Sequence, residues 1–162
     1  NVINSVIELA NKTNIPIVAD PKKQNFNAYK NCTIFKPNLS EIKAGMNINF
    51  NEDNIEEVKQ ASGKLRALLD VEGVLLTLSE KGICINTKDA FLHTPAFKRN
   101  IVDISGAGDS VLSVAALCLV NNIDYQTLSI LATLAGGIVC EDVGVVPINK
   151  EKLLAEASKS IH

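Results

Sequence analysis

The chain has 162 residues, 46% of them hydrophobic and 21% charged, the balance of a globular domain long enough to bury a core. A formal net charge of −2 removes the electrostatic case for nucleic acid or an acidic membrane as partner. It does not exclude phosphate ligands, because backbone amides bind anions without basic side chains.

No apolar run approaches the ~20 residues that cross a bilayer, and the longest, residues 111–120 with Ser113 inside it, is expected to be a buried helix. No basic segment followed by an apolar stretch opens the chain, so no signal peptide and a cytoplasmic location are expected. The first residue is not Met, and the chain enters at once on an amphipathic pattern, as if partway through a larger protein. Cys32, Cys84, Cys118 and Cys140 lie far apart beside apolar or β-branched neighbours and form no C-x-x-C pair. Buried free thiols are expected of them, and neither zinc nor disulfides.

Val2, Ile3, Val6, Ile7 and Ala10 have helical spacing and predict a helix over 2–11. A strand is expected over 15–19, stopped by Asp20-Pro21, and another over 33–36, stopped by Pro37. Asn38 as N-cap with Glu41 three residues on predicts a short helix to Met46. Asp53 and Glu56 repeat that arrangement before a helix of about fifteen residues. Residues 74–78 are the clearest strand; a turn at 79–82, a strand from Ile83 and another over 90–94 predict an antiparallel excursion. The small residues Ser105 to Gly108 are expected to precede the apolar helix, with two more helices over 125–140 and from Asn149 onward. Helices alternating with short apolar strands predict an α/β layered fold with a mostly parallel sheet, in one domain or one piece of one.

Three segments carry chemistry. In Asp103-Ile104-Ser105-Gly106-Ala107-Gly108-Asp109-Ser110, small residues allow close backbone approach to a ligand, and the following helix offers unpaired amides. A phosphoryl group gaining charge is stabilised at such a helix start, and Asp109 is placed to take the proton of an attacking hydroxyl. In Asn38-Leu39-Ser40-Glu41 an amide and a carboxylate three apart share one helix face, which suits water around a nucleotide-bound Mg²⁺ as well as it suits a capping box. Thr77-Leu78-Ser79-Glu80-Lys81-Gly82 is by itself a strand end and a turn.

Together these strings resemble the signatures of the ribokinase-like carbohydrate kinase family, over the C-terminal half of its fold. The first resembles Asp-x-(Thr/Ser)-Gly-Ala-Gly-Asp-(Ser/Thr), which implies Asp109 as catalytic base and Gly106, Ala107 and Gly108 as anion hole. It also implies Asp103 and the Ser105 carbonyl as positions that hold a monovalent cation, K⁺, in several members. Lys36-Pro37 before Asn38-Leu39-Ser40-Glu41 resembles the family's nucleotide and magnesium motif, with Glu41 toward the metal. Thr77, Ser79 and Gly82 match a segment that lines the nucleotide pocket; Thr133 and Gly136 match its adenine-side helix. Thr133 stands where the nearest branch commonly has Asn, and Gly144 matches a glycine near the base and cation site.

Ser79-Glu80 and Asp20-Pro21-Lys22 resemble the heptose-phosphate kinase branch, which implies ATP with Mg²⁺ as cofactors and heptose 7-phosphate, on the route to ADP-heptose, as acceptor. The family's N-terminal half, with a further glycine-rich signature, most sugar contacts and a β lid, has no counterpart in these 162 residues. Family dimers often use that lid, so a homodimer stays open. So do a nucleotide-binding fragment without turnover and a family kinase for fructose, ribose or adenosine. His93 and His162 suggest no mechanism, Lys98-Arg99 is expected to be a solvated loop, and Lys22 and Lys23 are candidates through the branch's Lys after Asp-Pro.

Overall fold

The computed structural model describes residues 2–21 and 23–161, so Lys22 and His162 lie outside the described residues. The chain divides into two compact units, Asn1–Leu78 with Cys84–Leu92, and Ser79–Ile83 with His93–His162.

Five strands run in the order β1 (Val18–Ala19), β2 (Ile34–Phe35), β3 (Gly73–Thr77), β4 (Ile83–Thr87), β5 (Phe91–Thr94). β1 and β2 are parallel with Val18 opposite Ile34, and β2 and β3 are parallel with Ile34 opposite Gly73. β3 to β5 are joined by connections far too short for a parallel crossover, so the sheet turns antiparallel there, as expected. The first two strands are shorter than the apolar runs that predict them, because only two residues of each find ladder partners.

In the first unit α1 (Val2–Lys12), α2 (Leu39–Met46) and α3 (Ile55–Leu69) accompany the strands. The core gathers Phe35, Val74 and Leu76 from the sheet with Ile42 of α2 and Val58 and Leu65 of α3. Phe26 meets the edge of Phe35 with ring centroids 5.1 Å apart. Burying six such side chains supplies on the order of 10 kcal/mol of apolar transfer free energy. Both α2 and α3 end on a left-handed residue, Asn47 (φ 51°) and Asp70 (φ 50°). Asn and Asp tolerate that region better than most side chains do.

The α3 cap differs from expectation. Asn54, one residue after Asp53, is the N-cap and accepts from the Glu56 amide. Glu57, not Glu56, closes the turn, accepting from the Asn51 amide at 2.8 Å and from the Asn54 side chain at 3.0 Å.

In the second unit α4 (Ala107–Val120) packs on α5 (Tyr125–Val139), and α5 on α6 (Lys150–Ser160). A Cβ at Gly136 would lie 2.9 Å from Val111 Cγ2, so the missing side chain is what lets α4 approach α5. α4 is not the wholly buried helix its sequence suggests: Val111, Val114, Ala115 and Cys118 are inside, while Leu117 and Val120 face out. All four cysteines are buried and free, and burial pushes the thiols of Cys32 and Cys84 up to about 12. No helix among the described residues is long and apolar enough to cross a membrane.

Candidate active site

At the second unit's glycine loop the chain enters α4 through Gly106, at φ 81°. That region disfavours any residue with a Cβ, and a Cβ here would also sit 3.1 Å from Val145 Cγ1. Gly106 is the N-cap, so no side chain occupies the helix start. The Ala107 amide reaches the Ile104 carbonyl at 3.3 Å, and the Ser110 amide bonds the Gly106 carbonyl at 2.9 Å. Among the described residues nothing accepts from the amides of Gly108 and Asp109. Two donors therefore point outward at the positive end of the helix dipole. Ala107 and Gly108 belong to the first turn of α4 instead of preceding it. Asp109 is in that same turn with its side chain exposed.

The loop before α4 is held by its own polar groups. Asp103 Oδ1 accepts from the Ser105 amide at 3.0 Å and the Ser105 hydroxyl at 2.8 Å, while Oδ2 accepts from the Gly144 amide at 2.8 Å. The Ser105 and Gly144 bonds hold the Asp103 carboxyl below its usual range. Val102 and Asp103 donate their amides to the Cys140 carbonyl at 2.8 and 3.2 Å. Nothing among the described residues donates to the Ser105 carbonyl, which leaves it open to a cation beside the Asp103 carboxylate.

Thr133 is buried in α5 and gives its hydroxyl proton to the Ser129 carbonyl at 2.7 Å. Gly136 is buried against α4, with the Ala107 carbonyl 3.5 Å from the position a Cβ would take. Gly82 has φ 94°, and a Cβ there would fall 2.1 Å from the Thr94 carbonyl oxygen, so the turn after Ser79 admits only glycine. Ser79 is itself left-handed at φ 54° and exposed. His93 hydrogen-bonds the Lys81 carbonyl at 2.9 Å on the surface, a structural contact.

In the first unit the candidate groups collect at the carboxyl ends of the parallel strands, where open α/β sheets receive ligands. Asn38 bridges Thr77 in parallel register, so those two predicted residues are neighbours. The capping box is complete: Asn38 Oδ1 accepts from the Glu41 amide at 2.9 Å, and Glu41 Oε2 accepts from the Asn38 amide at 2.8 Å. Ser40 adds its hydroxyl to Asn38 Oδ1 at 2.7 Å, and Leu39 packs against the core. Among the described residues, Glu41 Oε1 and the Asn38 side-chain amine have no hydrogen-bond partner. Both readings of the pair can therefore hold together, one oxygen capping the helix and the other free.

Three features lie beyond what spacing along the sequence shows. Lys36 is almost fully buried and pairs with Asp20 at 3.2 Å. The register signals it: Asp20 and Lys36 are the residues that follow the paired strands Val18–Ala19 and Ile34–Phe35. Gly144 ties to Asp103 across 41 positions, which no local pattern reveals. Arg99 is not in a solvated loop. Its side chain is 5% exposed and ion-pairs with Glu141 and Glu156. It lies over α5 where Gly137 has no side chain to displace it. The Lys152 and Arg99 charges hold the Glu141 carboxyl below its usual range.

A family model described as pfkB family carbohydrate kinase matches residues 1–152. The chain belongs to that family. It is 33% identical to the bifunctional protein HldE of Koribacter versatilis over 94% of this chain and 31% of that protein. It is 34% identical to HldE of Histophilus somni over 94% and 32%. The pfkB fold is equally plain in solved structures. Phosphofructokinase-2 of Escherichia coli in complex with potassium superposes with a TM-score of 0.87 at 18% identity, over 97% of this chain and 51% of that one. Ribokinase of Arabidopsis thaliana with ribose and ATP gives 0.82 at 19%, over 96% and 52%. The chain thus spans about a third of the curated relatives it matches and about half of these solved chains.

Proposed function

We propose that the chain is the nucleotide-binding, catalytic part of a cytoplasmic ATP-dependent sugar-phosphate kinase, with heptose 7-phosphate as acceptor. The observation that carries this reading is the start of α4, with Gly106 at φ 81°, two unpaired amides and Asp109 in one turn. Asp109 takes the proton from the acceptor hydroxyl as its oxygen bonds to the γ-phosphorus of ATP and the bond to the departing ADP breaks. The amides of the Gly106–Gly108 turn meet the charge on the transferring phosphoryl oxygens. Magnesium, when bound with the nucleotide, neutralises phosphate charge; Glu41 Oε1 and the Asn38 amide suit the water around it. Asp103 and the Ser105 carbonyl suit a monovalent cation such as K⁺. Thr77, Ser79, Gly82, Thr133 and Gly136 stand on the nucleotide side by resemblance, Gly82 and Gly136 as backbone positions.

The acceptor rests on Asp20-Pro21-Lys22, on Ser79-Glu80 and on the likeness to HldE proteins. Sugar contacts and the lid belong to the family's other half. A substrate panel on the full-length protein, with heptose 7-phosphate beside fructose 6-phosphate, ribose and adenosine, tests the reading. Preference for heptose 7-phosphate supports it, and preference for another acceptor replaces it within the same family.

The 162-residue chain alone should bind Mg-ATP in the high micromolar to millimolar range, about 4 to 6 kcal/mol. It should phosphorylate any sugar at no more than background, because the acceptor is not held in line. Calorimetry and a coupled assay measure both. Absence of nucleotide binding by the folded chain would mean that the pocket forms only with the family's other half.

A further inference from the structure

Arg99 stands four residues before Asp103 and is the only guanidinium among the described residues of the second unit. One of its terminal nitrogens reaches Glu141 Oε1 at 2.7 Å and Glu156 Oε1 at 3.2 Å; the other bonds Glu156 Oε2. Lys152 of α6 bonds the second oxygen of Glu141. Two cations and two anions thus close a neutral cluster, with both Glu141 oxygens and both Glu156 oxygens engaged. Burial this deep costs several kcal/mol for an unpaired ion, so the guanidinium stays only where both carboxylates meet it.

The cluster is one rung of three between segments 99–105 and 140–144. The others are the Cys140 carbonyl, which takes the Val102 and Asp103 amides, and the Gly144 amide, given to Asp103. In those two rungs every residue but the buried Cys140 is exposed or half-buried, whereas the Arg99 guanidinium is buried and its rung reaches a third element, α6. The segment it pins runs directly into Gly106 and the first turn of α4.

We propose that Arg99 is a positioning residue for phosphoryl transfer: anchored to Glu141 and Glu156, it fixes the loop that sets the Gly108 and Asp109 amides. The inference rests on the kinase reading for its consequence in turnover, but its effect on the loop is measurable without any substrate. A feature of α5 supports it independently. Gly137 leaves the space that the guanidinium fills, since a Cβ there would come 2.5 Å from Nε and 2.8 Å from Cδ.

Three variants separate this from a merely structural ion pair. Gly137→Ala keeps every charge and favours the helix, yet displaces the guanidinium. Arg99→Met with Glu156→Leu removes the pair without leaving Glu156 unpaired, and Arg99→Lys keeps the charge but loses the fork. Amide hydrogen exchange on the full-length protein should speed up at the hydrogen-bonded amides of Val102, Asp103 and Ser105 by at least about tenfold in the first two, with the first unit unchanged. Arg99→Lys should fall between them and the wild type. Steady-state kinetics should show kcat lowered by a similar factor while KM for ATP stays within about twofold.

Exchange that rises uniformly through the second unit, or not at all at Val102, Asp103 and Ser105, would overturn the proposal. So would wild-type kcat in a variant whose loop has loosened. A wild type that phosphorylates no sugar would instead remove the kinase reading, and the exchange data would still decide what Arg99 does.

Discussion

Asp103 and Gly144 are joined by a 2.8 Å hydrogen bond from the glycine amide to the carboxylate, whose other oxygen holds Ser105. One side chain therefore fixes the turn before α4 and the segment after α5. Because the donors favour the ionised form, the carboxyl titrates below its usual range. A carboxylate depressed in the folded state adds stability above its unfolded value of about 4, and loses it as pH falls through the folded value. Asp103→Asn should lower the thermal midpoint at pH 7, and the gap to wild type should narrow as pH falls below about 4. A gap that stays constant over that range would mean the ionised form is not what holds the turn.

Asp109→Asn keeps the shape of the first turn of α4 and removes the carboxylate proposed as proton acceptor. In the full-length enzyme it should reduce turnover by at least about a hundredfold and leave ATP affinity nearly unchanged. Turnover retained within a few-fold would take Asp109 out of the mechanism.

Gly106 and Gly82 should respond differently although both have positive φ. Gly82→Ala drives a Cβ to within 2.1 Å of the Thr94 carbonyl, a backbone clash with no flexible partner to yield. It should cost about 2 kcal/mol or more in chemical denaturation, whatever the ligand. Gly106→Ala meets only the side chain of Val145 at 3.1 Å, so its stability loss should be nearer 1 kcal/mol. Its ATP affinity should fall by more than that loss accounts for. Equal behaviour of the two variants toward nucleotide would make Gly106 a turn residue and nothing more.

The Asn38–Glu41 pair tests whether a cap and a nucleotide site coexist. Losing the cap in Asn38→Ala should cost about 1 kcal/mol. Glu41→Gln keeps an oxygen for the Asn38 amide, so it should cost less in stability. If Glu41 Oε1 serves the magnesium shell, Glu41→Gln should still raise the Mg²⁺ concentration needed for half-maximal nucleotide binding several-fold. An unchanged Mg²⁺ requirement with a lowered melting temperature would leave only the cap.

Local chemistry was legible in the residues wherever one element carried it. Asn38 with Glu41 announced a capping box that both halves complete, and the small residues from Ser105 to Gly108 announced a tight turn into α4, where Gly106 takes φ 81°. The helix over residues 55–69 was legible in length but not in its cap, since Asp53 and Asn54 are chemically alike and only the observed turn chooses between them. What stayed hidden pairs residues far apart in the chain. Arg99 meets Glu156 across 57 positions, and no periodicity links them, so a basic dipeptide in a polar stretch looked solvated. Thr133 and Gly136 were visible as small residues on a helix. Their immediate contacts, the Ser129 carbonyl and α4, depend on rotation and packing that spacing alone does not determine.

The placement of the four thiols gives the molecule a built-in pair of clocks. Cys32 and Cys84 lie in the first unit, Cys118 and Cys140 in the second, and burial raises the thiol pKa at all four. A neutral, enclosed thiol does not attack an alkylating reagent, so each cysteine reacts only when its own surroundings open. Labelling followed by mass spectrometry would therefore time the opening of each unit separately in the unmodified wild-type sequence. A nucleotide that steadies only one unit would slow one pair of cysteines and leave the other pair running at its former rate.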